Sequence, residues 1–220
     1  MTKSPGSAAT SDDAFDIQLL SDLHLEVERD SDELYRYDFP ASAPNLALLG
    51  DIGWTRDVRL FEWLEIQLSR FRRVFFIAGN HEPYGSTLEE STSALEAFAN
   101  RVSIAHANNS AKGEFILLNR TRYDISPSLT ILGCTLWSAL NPEDLEILSW
   151  SLTDFKRVYS FTPDAYKSVH EADLAWLTAS IAKRRVGGRW WYSRIMRRLW
   201  MGLETQNTSG DRRIAHLRRS

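Results

Sequence analysis

Three short polar motifs carry the residues that could do chemistry in this chain. They are Asp22-Leu23-His24, Gly50-Asp51 and Gly79-Asn80-His81-Glu82. The spacing is regular, with 29 residues from Asp22 to Asp51 and 29 from Asp51 to Asn80. Carboxylate, imidazole and amide donors suit hard or borderline divalent metals, not a thiolate site. Two such cations, about 3.5–4 Å apart, can clamp a phosphate and activate the attacking water.

An apolar run stands directly before each motif. The runs are Ile17–Leu20, Leu46–Leu49 and Val74–Ala78, and we predict a buried strand from each. Strands that each end in a ligand bring their donors together at the carboxyl edge of one sheet. That edge is where open α/β sheets place their sites.

Helical patterns and further strands fill the rest of the chain. Ser86 with Glu89 reads as a capping box before a helix, and Thr162-Pro163 opens another helix. Apolar residues at helical spacing predict a helix between the second and third motifs. These residues are Leu60, Phe61, Leu64, Leu68 and Phe71. Short strands are predicted near Phe115–Leu118, Arg122–Ile125 and Leu129–Leu136. Alternating strands and helices indicate an α/β domain.

The motifs resemble those of a known family. The strings SDLHLE (residues 21–26), LLGDIG (48–53) and AGNHE (78–82) follow the pattern D-x-H, G-D, G-N-H-[DE] of the calcineurin-like metallophosphoesterases. The later strings ILGCTLWS (131–138) and HEADLAWL (170–177) resemble small single-domain, Ser/Thr-phosphatase-like members. The resemblance covers roughly Ile17 to Ile181. It implies a two-sheet β-sandwich flanked by helices.

The resemblance also implies a site and a reaction. Asp22 and His24 would bind the first of two divalent metal ions (Mn, Fe, Zn or similar), Asp51 would bridge both, and Asn80 would bind the second. His81 would be the catalytic proton donor or transition-state stabiliser. The reaction would be hydrolysis of a phosphomonoester or phosphodiester by metal-bound hydroxide. The alternative is structural: the two aspartates could cap turns, since Gly-Asp pairs often mark turns, and residues 80–81 could be an ordinary loop.

A departure from the family pattern keeps a second function class open. The family has three more histidines downstream, one at a strand end and two in Gly-His-x-His. After His81 this chain has only His106, His170 and His216, none in such a motif. We interpret His170 as a packing or capping residue and His106 as a loop residue. We therefore expect weak metal binding, mainly at the first ion, and negligible activity. The alternative function is a truncated or degenerate member that lacks catalysis and binds a partner or nothing.

The tail differs sharply in composition from the rest of the chain. From Lys183 onwards there are eleven Lys and Arg against two acids, and several of the eight tryptophans. We expect residues 184–220 to be a non-native or disordered tail, as after a frame change or retained intron, which would leave the second sheet incomplete. Alternatively, arginines 194, 197 and 198 alternate with apolar residues. On a helix this pattern could lie on an anionic membrane or contact nucleic acid.

Composition is that of one globular domain, which we assign to residues 17–183. The 220 residues suffice for one sizeable core, and the net charge of −3 indicates no partner by itself. The single cysteine, Cys134, excludes an intramolecular disulfide and fits a reducing compartment; we expect it buried and inert. Residues 1–16 are polar, lack the features of a signal peptide and are predicted disordered. We therefore expect a cytoplasmic protein without a transmembrane segment.

The substrate is expected to be a small phosphoester rather than nucleic acid. Protein Ser/Thr phosphatases carry Gly-Asp-x-x-Asp-Arg-Gly after the second strand, whereas residues 50–56 here read GDIGWTR. Because the Asp-Arg-Gly part is absent, the resemblance disfavours a protein phosphatase. Trp54 and Tyr84 follow metal motifs and could line a substrate cleft, and Arg56 could pair with a phosphate. The alternatives are structural aromatics and a solvated charge that begins a helix.

Overall fold

The computed structural model describes residues 15–27, 34–108, 112–127 and 129–183, together with a backbone strand over 189–194. Most of the segment predicted to be disordered at the start of the chain, and most of the basic tail, lie outside the described residues. The predictions made for those two segments therefore stay predictions.

The first sheet contains four parallel strands in chain order. They are β1 (Ile17–Leu20), β2 (Asn45–Leu49), β3 (Arg73–Ile77) and β4 (Glu114–Leu117). Two helices connect them, α1 (Val58–Arg70) between β2 and β3 and α2 (Leu88–Asn108) between β3 and β4. Parallel neighbours need crossover connections of this kind, because a tight hairpin can join only antiparallel strands. The three apolar runs before the motifs are confirmed as adjacent strands.

The second sheet contains three strands. β5 (Thr121–Ser126) pairs with β6 (Leu129–Cys134) in antiparallel fashion, and β7 (Arg189–Arg194) runs parallel to β6. Between β6 and β7 lie a 3₁₀ turn (Pro142–Asp144) and the helices α3 (Leu145–Ser151), α4 (Asp154–Arg157) and α5 (Pro163–Ala182). The predicted α/β class with two sheets and flanking helices is confirmed. β7 lies within the segment that we predicted to be disordered.

The core has two layers, on opposite faces of the first sheet. Alternate residues of β3 serve both, because successive side chains of a strand point to opposite faces. Val74 and Phe76 pack with α1 and α2, whereas Phe75 and Ile77 pack against Ile131 and its neighbours in the second sheet. The first sheet is thus buried on both faces, and only its edges and strand ends are left to carry polar side chains.

Two local predictions about the helices need correction. The capping box of α2 lies one residue later than predicted: Thr87 N–H donates to Glu90 Oε2 and Glu90 N–H to Thr87 Oγ1, at 2.9 and 3.1 Å. His106 lies in the last turn of α2 and not in a loop. The start of α5 is confirmed, with Thr162 Oγ1 accepting from Ala165 N–H at 3.2 Å. Within the described residues, the helices are too short or too polar to cross a bilayer.

The single thiol of the chain should be chemically unreactive in the folded protein. Cys134 is only 1% exposed in β6, and burial, with a smaller effect of the Asp173 carboxylate, raises its pKa to about 12. Because the thiolate is the reacting form, we expect no modification by Ellman's reagent at pH 8 in the native state. One thiol per chain should react after denaturation. Rapid modification of the native protein would contradict the burial of this strand.

Candidate active site

The loops after β1 and β2 run side by side. Asp22 N–H donates to the Gly50 carbonyl at 3.1 Å, and His24 N–H donates to the Asp51 carbonyl at 2.9 Å. In a third hydrogen bond, Leu25 N–H donates to the Ile52 carbonyl at 2.9 Å. Backbone pairing therefore continues beyond the two parallel strands. This pairing brings the first and second motifs together at the carboxyl end of the sheet.

Three of the predicted ligands share an unusual backbone conformation. Asp22, His24 and Asp51 have φ angles of 54°, 45° and 55°, in the left-handed region. Residues other than glycine rarely adopt this backbone region, because their Cβ atom crowds the backbone. Such residues persist where the surrounding structure holds them, and they cluster at functional sites. The conformation turns these three side chains out of the strand direction.

The same three side chains form a compact donor group. Asp22, His24 and Asp51 each offer one ligand atom, and these atoms all lie within 4.8 Å of one another. Asp22 is exposed and the other two are half-buried, so the group faces solvent. Two carboxylates and one imidazole fit a divalent cation such as manganese, iron or zinc. The structure therefore brings together three of the four predicted metal ligands.

The third motif reaches the same carboxylate. His81 N–H donates to Asp51 Oδ1 at 3.0 Å. A Cβ atom at Gly79 would lie 2.2 Å from that same oxygen, so only glycine allows the loop after β3 to approach it. Asn80 stands between these two residues. Its backbone is thereby held beside Asp51, at the end of the third strand.

A buried carboxylate that sequence reasoning did not use joins the second and third motifs. Glu82 is fully buried and accepts three backbone hydrogen bonds, from Asp51 at 3.1 Å and from Ile52 and Gly79 at 2.7 Å. Burial, and secondarily the charge of Asp51, raises the pKa of Glu82 to about 8. The acidic residue that closes the Gly-Asn-His-Glu motif is the sequence signal for this role.

Asn80 is oriented by two partners. Its side-chain nitrogen donates to Tyr84 Oη at 2.8 Å and to Asp154 Oδ1 at 2.9 Å, and the Tyr84 hydroxyl donates to the same Asp154 oxygen at 2.7 Å. Asp154, in α4, is 0% exposed. Because the amide nitrogen is engaged in this triangle, the carbonyl oxygen of Asn80 is the atom available to a cation. Sequence reasoning missed Asp154.

His81 and His24 share a second buried carboxylate. Their ring centroids are 4.4 Å apart, and the Nδ1 atoms of His81 and His24 face Glu26 Oε1 at 3.1 and 3.3 Å. Burial opposes ionisation of Glu26, but the two histidine hydrogen bonds outweigh it and lower its pKa to about 2. The hydrogen bond with Glu26 also raises the pKa of His24.

Glu26 defines a second group that could hold a metal. One ligand atom each of His24, Glu26 and His81 lies within 4.8 Å of the others, and Glu26 Oε2 is buried without a hydrogen-bond partner among the described residues. Glu26 closes the string SDLHLE (residues 21–26), but the sequence pattern assigned it no role. Its place two residues after His24 was the available signal. The two groups share His24, so together they form one continuous polar centre.

The remaining histidines of the described residues lie elsewhere. His106 is half-buried at the end of α2, with Nδ1 at 2.8 Å from the Lys112 carbonyl oxygen. His170, in α5, contacts the carbonyl oxygen of Trp137, which agrees with its predicted packing role. Neither belongs to a metal-binding group of the described residues. His216 lies outside the described residues.

One cavity of the described residues lies apart from the first donor group. It has a volume of about 580 Å³, and Gly79 of the third motif lines it. Helices α2 and α5 contribute much of its remaining lining, including Leu95 and Val169. None of Asp22, His24 and Asp51 lines it. The first donor group instead faces solvent, through the exposed Asp22, which suits a site that must admit a substrate from outside.

Comparisons with known proteins provide a fold and one sequence relative. No protein-family model matches the chain. It is 27% identical over 176 residues to the uncharacterized protein L509 of Acanthamoeba polyphaga mimivirus; the match covers 75% of this chain and 60% of the relative's length. Among solved structures, it resembles the phosphopantetheinyl hydrolase PptH of Mycobacterium tuberculosis with a TM-score of 0.59 and 14% identity. That match covers 81% of this chain and 67% of the hydrolase, and it shows a shared fold.

Proposed function

We propose that this chain is a metal-dependent hydrolase of phosphomonoesters or phosphodiesters, of the calcineurin-like metallophosphoesterase type. The observation that carries the proposal is the convergence of Asp22, His24 and Asp51. All three have left-handed backbones at the ends of adjacent parallel strands, with ligand atoms within 4.8 Å of one another. The fold shared with a solved hydrolase supports the same conclusion. Backbone strain at three donors in one place is costly, and a bound cation gives a reason for it.

The residues present fit two divalent cations, with manganese as our first candidate. Asp22 and His24 would hold the first cation, Asp51 would contact both, and Asn80 would hold the second through its carbonyl oxygen. When bound, such cations neutralise phosphoryl charge and acidify the attacking water. The chain itself supplies the arrangement: Glu82 holds the backbone of the second and third motifs, and Asp154 orients the amide of Asn80.

His81 has the position of a proton donor in this proposal. Its backbone N–H is fixed on Asp51 Oδ1, and its Nδ1 faces Glu26 Oε1 at 3.1 Å. With Nδ1 held by a buried carboxylate, Nε2 is the nitrogen that can carry a proton to the leaving oxygen. We further propose a small phosphoester as substrate, and a cytoplasmic location.

Loss of the His81 imidazole tests the proposed reaction. We expect His81→Ala to lower the metal-dependent hydrolysis of bis-p-nitrophenyl phosphate by roughly 100- to 10,000-fold, the usual contribution of a positioned acid or base. His106→Ala serves as control, because that imidazole belongs to neither donor group of the described residues. Initial rates with and without Mn²⁺ provide the measurement. Equal rates for the His81 variant and the wild type would refute this role.

A second candidate function is a non-catalytic cation-binding protein. The observation that favours it is the position of His106 and His170, whose contacts place both away from the donor groups. Within the described residues the second cation would then have only Asp51 and Asn80. A wild-type protein that binds Mn²⁺ yet hydrolyses neither bis-p-nitrophenyl phosphate nor p-nitrophenyl phosphate would select this candidate.

Asp154 should affect metal binding without touching a cation. Asp154→Leu removes the acceptor of the Asn80 amide, and we expect a loss of roughly 10–100-fold in Mn²⁺ affinity, as is usual for the partner of a ligand. Asp154→Asn keeps an oxygen that can accept from both Asn80 and Tyr84, so it should restore most of the affinity. Calorimetric titration of both variants, with circular dichroism to verify folding, makes the measurement. A folded leucine variant with wild-type affinity would contradict the orientation of Asn80.

A further inference from the structure

Two arginines and two aromatic rings form a cluster beside the third motif. We name this cluster, Trp54, Arg56, Tyr84 and Arg157, the arginine ledge. The Cζ atoms of Arg56 and Arg157 lie over the Trp54 ring, at 4.4 and 5.5 Å from its centroid. Arg157 also lies over the Tyr84 ring at 5.2 Å. Both guanidinium groups therefore have a defined place, although both side chains are exposed.

The ledge arginines differ from other ring-stacked arginines in their charge balance. Three arginines elsewhere in the described residues lie over an aromatic ring and also pair with a carboxylate; the pairs are Arg59–Asp57, Arg70–Asp38 and Arg101–Glu65. Neither Arg56 nor Arg157 forms an ion pair with a described carboxylate. Asp57, the residue after Arg56, is held by Arg59 at 2.6 Å. Two cations thus share one ring with no described anion paired to them.

The ledge begins where the metal centre ends. The Tyr84 ring lies 4.4 Å from the His81 ring, and Arg157 lies over the same tyrosine. A hydrogen bond of 2.9 Å from Thr55 N–H to the Glu82 carbonyl holds the segment of Trp54 and Arg56 against the third motif. Within the ledge, Tyr84 therefore lies between the His81 ring and the Arg157 guanidinium group. A substrate on the metal centre could extend along this path.

The backbone around the ledge keeps the arginines in position. Gly85 has a φ of 78°, and a Cβ there would lie 2.6 Å from Arg56 Cζ, so the glycine lets the backbone approach the guanidinium closely. Gly85 N–H also donates to the Arg157 carbonyl at 2.7 Å. Both guanidinium groups face solvent, and no described carboxylate pairs with either. A bound anion would supply the opposing charge.

We propose that the arginine ledge binds a second phosphate of the substrate, so that the preferred substrate is a phosphoester with another phosphate a few bonds from the scissile one. This inference rests on the proposed hydrolase function, because it assigns the scissile phosphate to the metal centre. Guanidinium groups bind phosphate through paired, charge-assisted hydrogen bonds, and their planar shape suits its oxygens. Arg56 and Arg157, neither paired with a described carboxylate, would supply the positive charge for such a phosphate.

Two substrates that differ only by the second phosphate test the proposal. They are the p-nitrophenyl ester of thymidine 5′-phosphate, with a free 3′-hydroxyl or with a 3′-phosphate. With Mn²⁺ present, we expect the wild type to favour the 3′-phosphorylated compound by about tenfold in kcat/KM, the scale of one charged hydrogen bond. Arg56→Gln and Arg157→Gln should each reduce this ratio, and the double variant should bring it to unity. Arg101→Gln, which alters a ring-stacked arginine paired with Glu65, should retain it.

Direct binding separates this inference from the proposed hydrolase function. Calorimetry with thymidine 3′,5′-bisphosphate and with thymidine 5′-phosphate measures the same preference without turnover. If neither ester is hydrolysed, the hydrolase proposal fails, while tighter binding of the bisphosphate that is lost in Arg56→Gln would still support the ledge. A wild type with no preference in either assay, or a preference that survives in the double arginine variant, would overturn it.

Discussion

Replacing Asp51 with asparagine is expected to lower hydrolysis by roughly a thousandfold, about 4 kcal/mol of transition-state stabilisation, and to abolish measurable Mn²⁺ binding. Asp51 belongs to the donor group with Asp22 and His24, and its Oδ1 accepts the His81 N–H at 3.0 Å. Asparagine keeps the size of the side chain but removes the negative charge that a bridging ligand needs. Calorimetric titration with Mn²⁺ and rates on bis-p-nitrophenyl phosphate measure the two effects.

The matched control for this variant is another aspartate-to-asparagine change. Asp38 has a side chain that is 96% exposed, and it forms an ion pair with Arg70 at 3.4 Å. Exposed pairs of this kind contribute little, so Asp38→Asn should leave both metal binding and rate unchanged. Equal Mn²⁺ affinity for Asp51→Asn and the wild type would show that the carboxylate is not a metal ligand.

Replacing Glu82 with alanine is expected to produce a large loss of stability, about 4 kcal/mol. The change leaves three backbone N–H groups, those of Asp51, Ile52 and Gly79, without their acceptor. Each unsatisfied buried donor costs about 1–3 kcal/mol, and a typical domain has only about 5–15 kcal/mol in total. With a denaturant slope of about 2 kcal/mol per M, the urea midpoint should fall by about 2 M.

Two further variants define what that loss means. Glu82→Gln keeps one acceptor oxygen and should therefore lie between the alanine variant and the wild type. Glu96→Ala changes an exposed glutamate on α2 and should shift stability by less than about 0.5 kcal/mol. A midpoint for Glu82→Ala that equals the wild-type value would mean that these N–H groups find other partners, and that Glu82 does not hold the motifs together.

The strands that carry the motifs were predictable because their signals are local. An apolar run followed by a polar motif is visible in any window of the sequence, and parallel strands place such ends at one edge. This reasoning placed β1, β2 and β3 and anticipated that Asp22, His24 and Asp51 would meet. The convergence of the Asn80 side chain with these three residues, and its role as a metal ligand, stay predictions.

The partners of these residues were not predictable because they come from distant parts of the chain. Asp154 meets Asn80 across 74 residues, through a short helix without a periodic pattern. Glu26 is close to His24 in sequence, but its contact with His81 spans 55 residues. Neither contact leaves a local pattern. Only the packing of α4 and of the loop after β1 creates them.

The N-cap of α2 was predicted one residue too early, at Ser86, because two capping patterns overlap. Two overlapping patterns occur in the sequence, Ser86 with Glu89 and Thr87 with Glu90. The Ser86 hydroxyl instead donates to the Pro83 carbonyl at 2.9 Å, within the turn that follows the third motif. This bond directs the Ser86 hydroxyl towards the turn, while Thr87 caps the helix, and α2 begins one residue later than predicted. A competing local hydrogen bond decides such cases.

Anomalous diffraction from a crystal soaked in Mn²⁺ shows whether the three motifs bind cations. We expect a strong peak within coordination distance of Asp22, His24 and Asp51, and a weaker second peak between Asp51 and the carbonyl oxygen of Asn80. Soaked crystals of Asp51→Asn should show neither. A map with no peak at these residues, or with a single peak held only by His24, Glu26 and His81, would contradict the assignment of the three motifs as a phosphoesterase metal centre.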